Sequence, residues 1–221
     1  MNRLSIGSAV VALAVAFVPH AAMAQTHDAK NEVYAGLGTT GGTIGYGFGL
    51  GMRSDVRIEA NYLDYTHTVN TRSGDYRGSL KLGTIGAYYD FFFAGPFRVT
   101  GGLLIGSNKF EGDAVATNGT VTINHVQYDA SGQWAKGTIK FKSVSPYLGL
   151  GWGHRPERGG FGFFGDLGVA YGKPTVTLNV SDGLRQAAGD ANIAAEQATL
   201  QDKANKAKFF PVLRIGVDYQ W

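Results

Sequence analysis

Seven ionisable residues, Arg57, Glu59, Asp90, Arg98, Asp166, Arg214 and Asp218, stand at positions where the chain alternates between apolar residues and polar or glycine residues. The runs Val56-Arg57-Ile58-Glu59-Ala60 and Leu213-Arg214-Ile215-Gly216-Val217-Asp218-Tyr219 show the pattern. Side chains in a β-strand point alternately to opposite faces, so each of these charges lies on the face opposite its apolar neighbours. Three guanidiniums and four carboxylates sharing one enclosed space can do one kind of chemistry, which is ion pairing. A buried charge left alone costs several kcal/mol. The seven are therefore expected to form a salt-bridged network lining a lumen.

Other reactive residues lack the company that catalysis or metal binding requires. His20, His27, His67, His125 and His154 have no metal-ligand spacing among themselves, and the chain has no cysteine. His67 and Asp64 are close in sequence, but no H-x-S pair or clustered acid pair accompanies them, so they read as a solvated contact and not as part of a hydrolase. Gly36-Leu37-Gly38-Thr39-Thr40-Gly41 fits G-x-G-x-x-G. The segment after it is another alternating strand and not the helix whose N-terminus would hold a pyrophosphate. No catalytic residue, cofactor or metal ligand is assigned, and no enzymatic activity is expected.

The elements that could hold the seven charges on one face are strands closed into a barrel. Ile44, Tyr46, Phe48, Leu50 and Met52 alternate with Gly45, Gly47, Gly49 and Gly51, and Val33, Ala35 and Leu37 alternate with Glu32, Tyr34 and Gly36. The same period of two continues through Val56–Tyr62, Ile85–Phe91, Phe97–Ile105, Leu148–Trp152, Phe161–Val169 and Leu213–Trp221. An apolar face of this kind suits a bilayer, with the other face turned to a lumen. The reading is all-β: an eight-stranded antiparallel transmembrane barrel. Its short turns are placed at Ser54-Asp55, Ala94-Gly95-Pro96 and Arg155–Gly160, and its loops at Thr66–Gly78, Ser107–Ser143 and Gly172–Lys208. Asn118-Gly119 is the hairpin signal of the second long loop. Within the last loop, Leu184, Ala188, Ala191, Ala195 and Ala198 fall on one helical face, which implies either a solvated loop with a short helix or a gate. The glycine wall of the second strand reads as room for large side chains opposite it, with a solute path as the alternative.

Composition is compatible with this fold. Aromatics make up 12% and charged residues 17% of the 221-residue chain, the latter below the roughly 25% of soluble domains. The net charge of +3, about +2 without Arg3, is too small to argue for nucleic acid. Arg3, the apolar run Ile6–Val18 and Ala22-Met23-Ala24 before Gln25 form a signal-peptide pattern, so residues 1–24 are expected to be cleaved and 25–221 to form the barrel. The run is short for a membrane-spanning helix, which needs about 20 residues. Tyr219 and Trp221 complete the apolar face of the last strand, and the terminal aromatic is similar to the assembly signal read by the barrel assembly machinery. The expected setting is the cell outer membrane, in contact with its lipid, as a monomer.

Several segments carry a family resemblance. They are Gly38-Thr39-Thr40-Gly41, Ser145-Pro146-Tyr147-Leu148-Gly149-Leu150-Gly151-Trp152, Phe163–Val169 leading to Gly172-Lys173-Pro174, and Phe210-Pro211-Val212 before Ile215-Gly216-Val217. Together they resemble the carbapenem-resistance-associated outer-membrane proteins, a group of small Gram-negative barrels. The resemblance spans most of the mature chain. One departure is His125 after Thr122-Ile123-Asn124, where the family pattern continues with glycine.

The resemblance implies an eight-stranded barrel linked to uptake of small solutes, basic amino acids such as ornithine and also carbapenems. The competing expectation is a non-conducting structural or surface-interaction barrel whose outer loops bind a partner. Eight strands enclose a space just wide enough for their own side chains, so a filled lumen favours the second reading. A continuous path lined by acids favours the first.

Overall fold

The computed structural model describes residues 31–51, 53–71, 74–116, 119–154 and 159–221. The expected signal peptide and its cleavage site lie outside these residues, as do Met52 and Asn118. Among the described residues twelve strands and two helices succeed one another: β1 (Asn31–Gly38), β2 (Gly41–Gly51), β3 (Ser54–Asn70), β4 (Gly74–Ala94), β5 (Phe97–Ala116), β6 (Thr120–Ile123), β7 (Val126–Asp129), β8 (Trp134–Phe141), β9 (Val144–Trp152), β10 (Gly160–Tyr171), β11 (Pro174–Val180), α1 (Asp182–Ala188), α2 (Asp190–Ala204) and β12 (Phe209–Gln220). Eight of them close a ring of antiparallel pairs, β1-β2-β3-β4-β5-β9-β10-β12 and back to β1. At the closing seam Asn31 and Trp221 exchange backbone hydrogen bonds of 3.1 and 3.0 Å. Closure removes the free edges that an open sheet would expose.

The outward face is a belt of exposed apolar side chains. Its upper margin carries Leu37, Ile44, Tyr62, Ile105, Val144 and Phe209. Its lower margin is aromatic, with Phe48, Phe93, Phe97, Trp152, Phe161 and Tyr219. About five outward positions per strand match the nine to eleven residues with which a tilted strand crosses a bilayer. This arrangement turns apolar residues outward and charged ones inward, the reverse of a soluble protein.

Above the belt the wall is uneven. The β1–β2 turn at Thr39-Thr40 stops at the upper margin, where Thr39 Oγ1 donates to the Pro211 carbonyl at 2.9 Å. The opposite side rises further. The upper half of β5 pairs with β8, and β8 pairs with β11, which carry the lines of β9 and β10 beyond the belt. Helix α2 packs on β11, and Ile123, Val180, Leu184, Ala188 and Ile193 form a second small core. The free edge of β11 is covered by glutamines one helical turn apart. Gln201 Oε1 accepts from Val176 N at 2.8 Å and Gln197 Oε1 from Leu178 N at 3.2 Å, which closes an edge open to further pairing.

Several expected boundaries shift. Thr66–Gly78 is not a loop: β3 and β4 run through it, paired from Thr66↔Ser79 to Asn70↔Asp75. Its polarity comes from lying above the belt, where both faces are wet. Ser54 and Asp55 belong to β3 and not to a turn, because Asp55 is drawn into the lumen beside Asp90. Ser107–Ser143 contains most of the upper half of β5, a hairpin and β8, and Gly172–Lys208 contains β11. The β6–β7 hairpin turns at Asn124-His125, with φ of 50° and 66°. Both central residues take the left-handed conformation that two-residue hairpin turns demand, so His125 stands where glycine fits more easily. The helical stripe is also revised. Gly189, at φ 76°, separates α1 from α2 and resets the helical face. Leu184 and Ala188 are buried, but α2 buries Ile193 while Ala191 and Ala198 are exposed.

Candidate functional site in the lumen

All seven ionisable residues read from the sequence are buried inside the ring. Glu32, Asp55 and His154 join them. The wall makes room by glycine. A Cβ at Gly45 would overlap the Tyr34 ring, at Gly47 the Glu32 side chain, at Gly168 the Tyr147 ring, and at Gly162 it would lie 2.7 Å from Asp218 Oδ2. Bare positions on one strand thus face large residues on the next, which is the packing a narrow barrel requires.

The central layer is a lattice of guanidiniums and carboxylates. Asp90 is shared: Arg57 Nε bonds one oxygen, while Arg57 Nη2 lies 3.2 Å and Arg98 Nε 3.3 Å from the other, which also accepts from Thr100 Oγ1. Asp166 is held by Arg98 Nη2 and lies 3.6 Å from Arg214 Nε and 3.9 Å from Arg57 Nη1. Arg98 also donates to the Gly153 carbonyl at 2.8 Å. Glu59 accepts from Arg214, from Tyr34 at 3.2 Å, from Tyr88 at 2.8 Å and from Asn61 at 2.8 Å. Arg214 stacks over Tyr88 and Tyr147 at 5.1 and 5.7 Å from the ring centroids. Arginine suits these places because its planar fork serves two carboxylates while its face lies on aromatic rings.

Below this lattice His154 enters from the turn after β9. Its Nδ1 lies 2.9 Å from Glu32 Oε1 and its Nε2 3.3 Å from Arg57 Nη1, and the ring packs on Tyr34 and Phe164. Asp218 accepts from Gln220 at 2.6 Å, yet among the described residues one buried oxygen of Asp218 and one of Asp55 have no hydrogen-bond partner. Above the lattice Tyr88, Leu104, Tyr147, Ala170 and Val212 form an apolar layer with Phe210 against it. A narrow cleft of about 50 Å³ lined by Leu80, Leu82, Phe110, Phe141 and Phe210 opens over that layer.

The lattice gives the lumen two properties. Among the described residues it holds six buried carboxylates (Glu32, Asp55, Glu59, Asp90, Asp166 and Asp218) but three guanidiniums. Its centre is also shielded from solvent: Asp90, Arg98 and Thr100 are 0% and Arg57 is 1% exposed. Sequence reasoning missed Glu32 and Asp55, although both have the inward parity of their strands. It missed His154 for a better reason: a turn residue carries no periodicity, and only the ring closure brings it to Glu32 and Arg57. His67 stays outside this constellation, stacked on Tyr65 at 6.5 Å, and Asp64 lies 3.9 Å from Lys81.

No protein-family profile matches the chain, and no curated protein matches it. Solved structures do match, among them the following two. The crystal structure of Acinetobacter baumannii CarO2 aligns with a TM-score of 0.62 and 20% identity over 87% of this chain and 99% of that one. The crystal structure of A. baumannii CarO aligns with a TM-score of 0.60 and 20% identity over 89% and 100%. Identity at this level speaks for the fold alone: the chain is an eight-stranded barrel of CarO-like fold.

Proposed function

We propose that this protein is an outer-membrane barrel, exported with loss of residues 1–24, whose lumen is closed in the state described and whose function lies in the structure it presents above the belt. The β6–β7 hairpin, the β8–β11 extension and the two helices face the exterior, and both ends of the barrel chain face the periplasm. The observation that carries the closed-lumen reading is the absence of solvent exposure at Asp90, Arg98 and Thr100. A permeant solute would have to cross the apolar layer at Leu104 and Val212 and then separate Arg98 from Asp166. Each separation leaves charges unpaired in a low-dielectric space.

One observation favours a second reading, uptake of small cationic solutes such as ornithine. The surplus of three carboxylates over guanidiniums suits a cation that replaces an arginine in the lattice. Proteoliposome swelling separates the two. The closed barrel gives no swelling in arginine, ornithine or a neutral solute of equal size. Swelling selective for the basic amino acids establishes uptake and overturns the structural assignment.

A further inference from the structure

Resting on the outer-membrane reading, we propose that the outer faces of β4, β5, β8 and the β10–β11 junction form a lysine shelf that binds the phosphate groups of outer-leaflet glycolipids. Lys81 pairs with Lys109 across β4 and β5, and Lys109 pairs with Lys140 across β5 and β8. The three therefore stand side by side on adjacent strands. Continuous register from Ile85↔Ile105 and Ile105↔Val144 keeps them on the same face as the apolar belt. Lys142 is the first outward position above Val144 and Lys173 the first above Tyr171, and both are exposed.

Like charges directly opposite each other destabilise a strand pair. Higher on the same face the charges are balanced, with Lys136 at 3.2 Å from Glu111 and 3.5 Å from Asp113. At the edge of the belt the balance fails. Lys109 turns to Glu111 at 2.6 Å and Lys81 reaches Asp64 only at 3.9 Å, while among the described residues Lys140, Lys142 and Lys173 have no ion pair. A lysine row of this kind calls for an anion from outside the chain.

Its height selects the anion. Each outward step along a strand is about 7 Å, so the shelf stands one or two steps above the last apolar residues, at headgroup level. The flexible stems let the ammonium groups reach along that level. Below, Ile85, Leu103, Ile105, Val144 and Leu148 offer an apolar wall to acyl chains. A phosphorylated, multiply acylated lipid meets both surfaces at once, whereas a free phosphate meets one. The low rim at Thr39-Thr40 has no comparable lysines, so the lipid is held on one side of the barrel.

The test uses the full-length barrel folded in detergent, with its heat-modifiable mobility on gels as the check of folding. Native mass spectrometry then counts retained diphosphorylated lipid A against the same lipid stripped of phosphate. The wild type is expected to prefer the phosphorylated form by about tenfold or more. Lys109→Gln/Lys140→Gln/Lys142→Gln removes the preference, the corresponding Lys→Arg triple keeps it, and Lys203→Gln/Lys206→Gln leaves it unchanged. Millimolar inorganic phosphate leaves the lipid bound. Equal retention of both lipids by the folded wild type, an unchanged preference in the glutamine triple, or displacement by inorganic phosphate overturns the shelf. Those results leave the membrane reading intact. A chain that never gives a heat-modifiable form overturns both.

Discussion

Replacing Arg214 by methionine removes a charge while keeping a side chain of similar length, which isolates what the guanidinium does. Arg214 is 2% exposed, bonds Glu59, approaches Asp166 at 3.6 Å and lies over Tyr88 and Tyr147. Breaking a buried pair from one side costs about 3–5 kcal/mol. The low end applies here, because Glu59 keeps Tyr34, Tyr88 and Asn61 as donors and Asp166 keeps Arg98. Loss of the contacts with the two rings adds on the order of 1 kcal/mol. Arg214→Met is thus expected to cost about 4 kcal/mol, close to three decades in the folded-to-unfolded ratio. Most of that penalty is the stranded carboxylate, so Arg214→Met/Glu59→Gln should recover to within about 1–2 kcal/mol of wild type. Arg77, exposed on the outer part of β4, serves as control, and Arg77→Met should stay within about 0.5 kcal/mol. Urea unfolding in lipid vesicles, followed by tryptophan fluorescence, reads all four proteins. Equal midpoints for Arg214→Met and Arg77→Met, or a double variant weaker than the sum of its parts, refute the lattice as a set of buried, mutually dependent charges.

Three further outcomes are expected. Gly45→Ala drives a Cβ into the Tyr34 ring and should destabilise by about 1–3 kcal/mol; Gly83→Ala, with nothing within 4 Å of its Cβ, should be silent in the same unfolding assay. Gln197→Ala/Gln201→Ala uncovers the edge of β11, so the amides of Val176 and Leu178 should exchange faster while those of β12 do not change. In the upper sheet, the hydrogen bond from Lys109, with help from Lys136, holds the Glu111 carboxyl below its usual range. A carboxylate lowered by folding stabilises above its unfolded value, near about 4.3, and the contribution disappears as pH falls through the folded value. Protection of the amides along the β5–β8 pairing, taken relative to the intrinsic exchange rate at each pH, should therefore fall on acidification below about pH 4, and Glu111→Gln should flatten that dependence.

The parts of the fold legible in the sequence are those where two environments compete for alternate residues. In β2 a bilayer takes Ile44, Tyr46 and Phe48, while the lumen leaves room only for Gly45 and Gly47, so the period of two is unmistakable. Above the belt the contrast vanishes. Thr68 and Arg77 pair in a ladder with water available to both, and no apolar rhythm reports the strand. Local turn chemistry misled at Ser54-Asp55, where a residue common in turns is buried beside a cross-strand partner. The inward charges were readable one strand at a time, but their pairing was not. Arg98 with Asp166, or Arg57 with His154, depends on which strands become neighbours around the ring.

Closure of the lumen by this lattice can be measured most directly by chemical accessibility, since the chain has no cysteine of its own. Thr100→Cys places a single thiol at a 0% exposed site between the apolar layer and the lattice, and Thr177→Cys places one on the exposed face of β11. A small cationic methanethiosulfonate applied to the folded protein in vesicles should modify the Thr177→Cys variant and leave the Thr100→Cys variant unmodified until the barrel is denatured. Modification of both at comparable rates in the folded state would mean that small cations enter the lumen, and that the lattice of Arg57, Asp90, Arg98 and Asp166 does not close it.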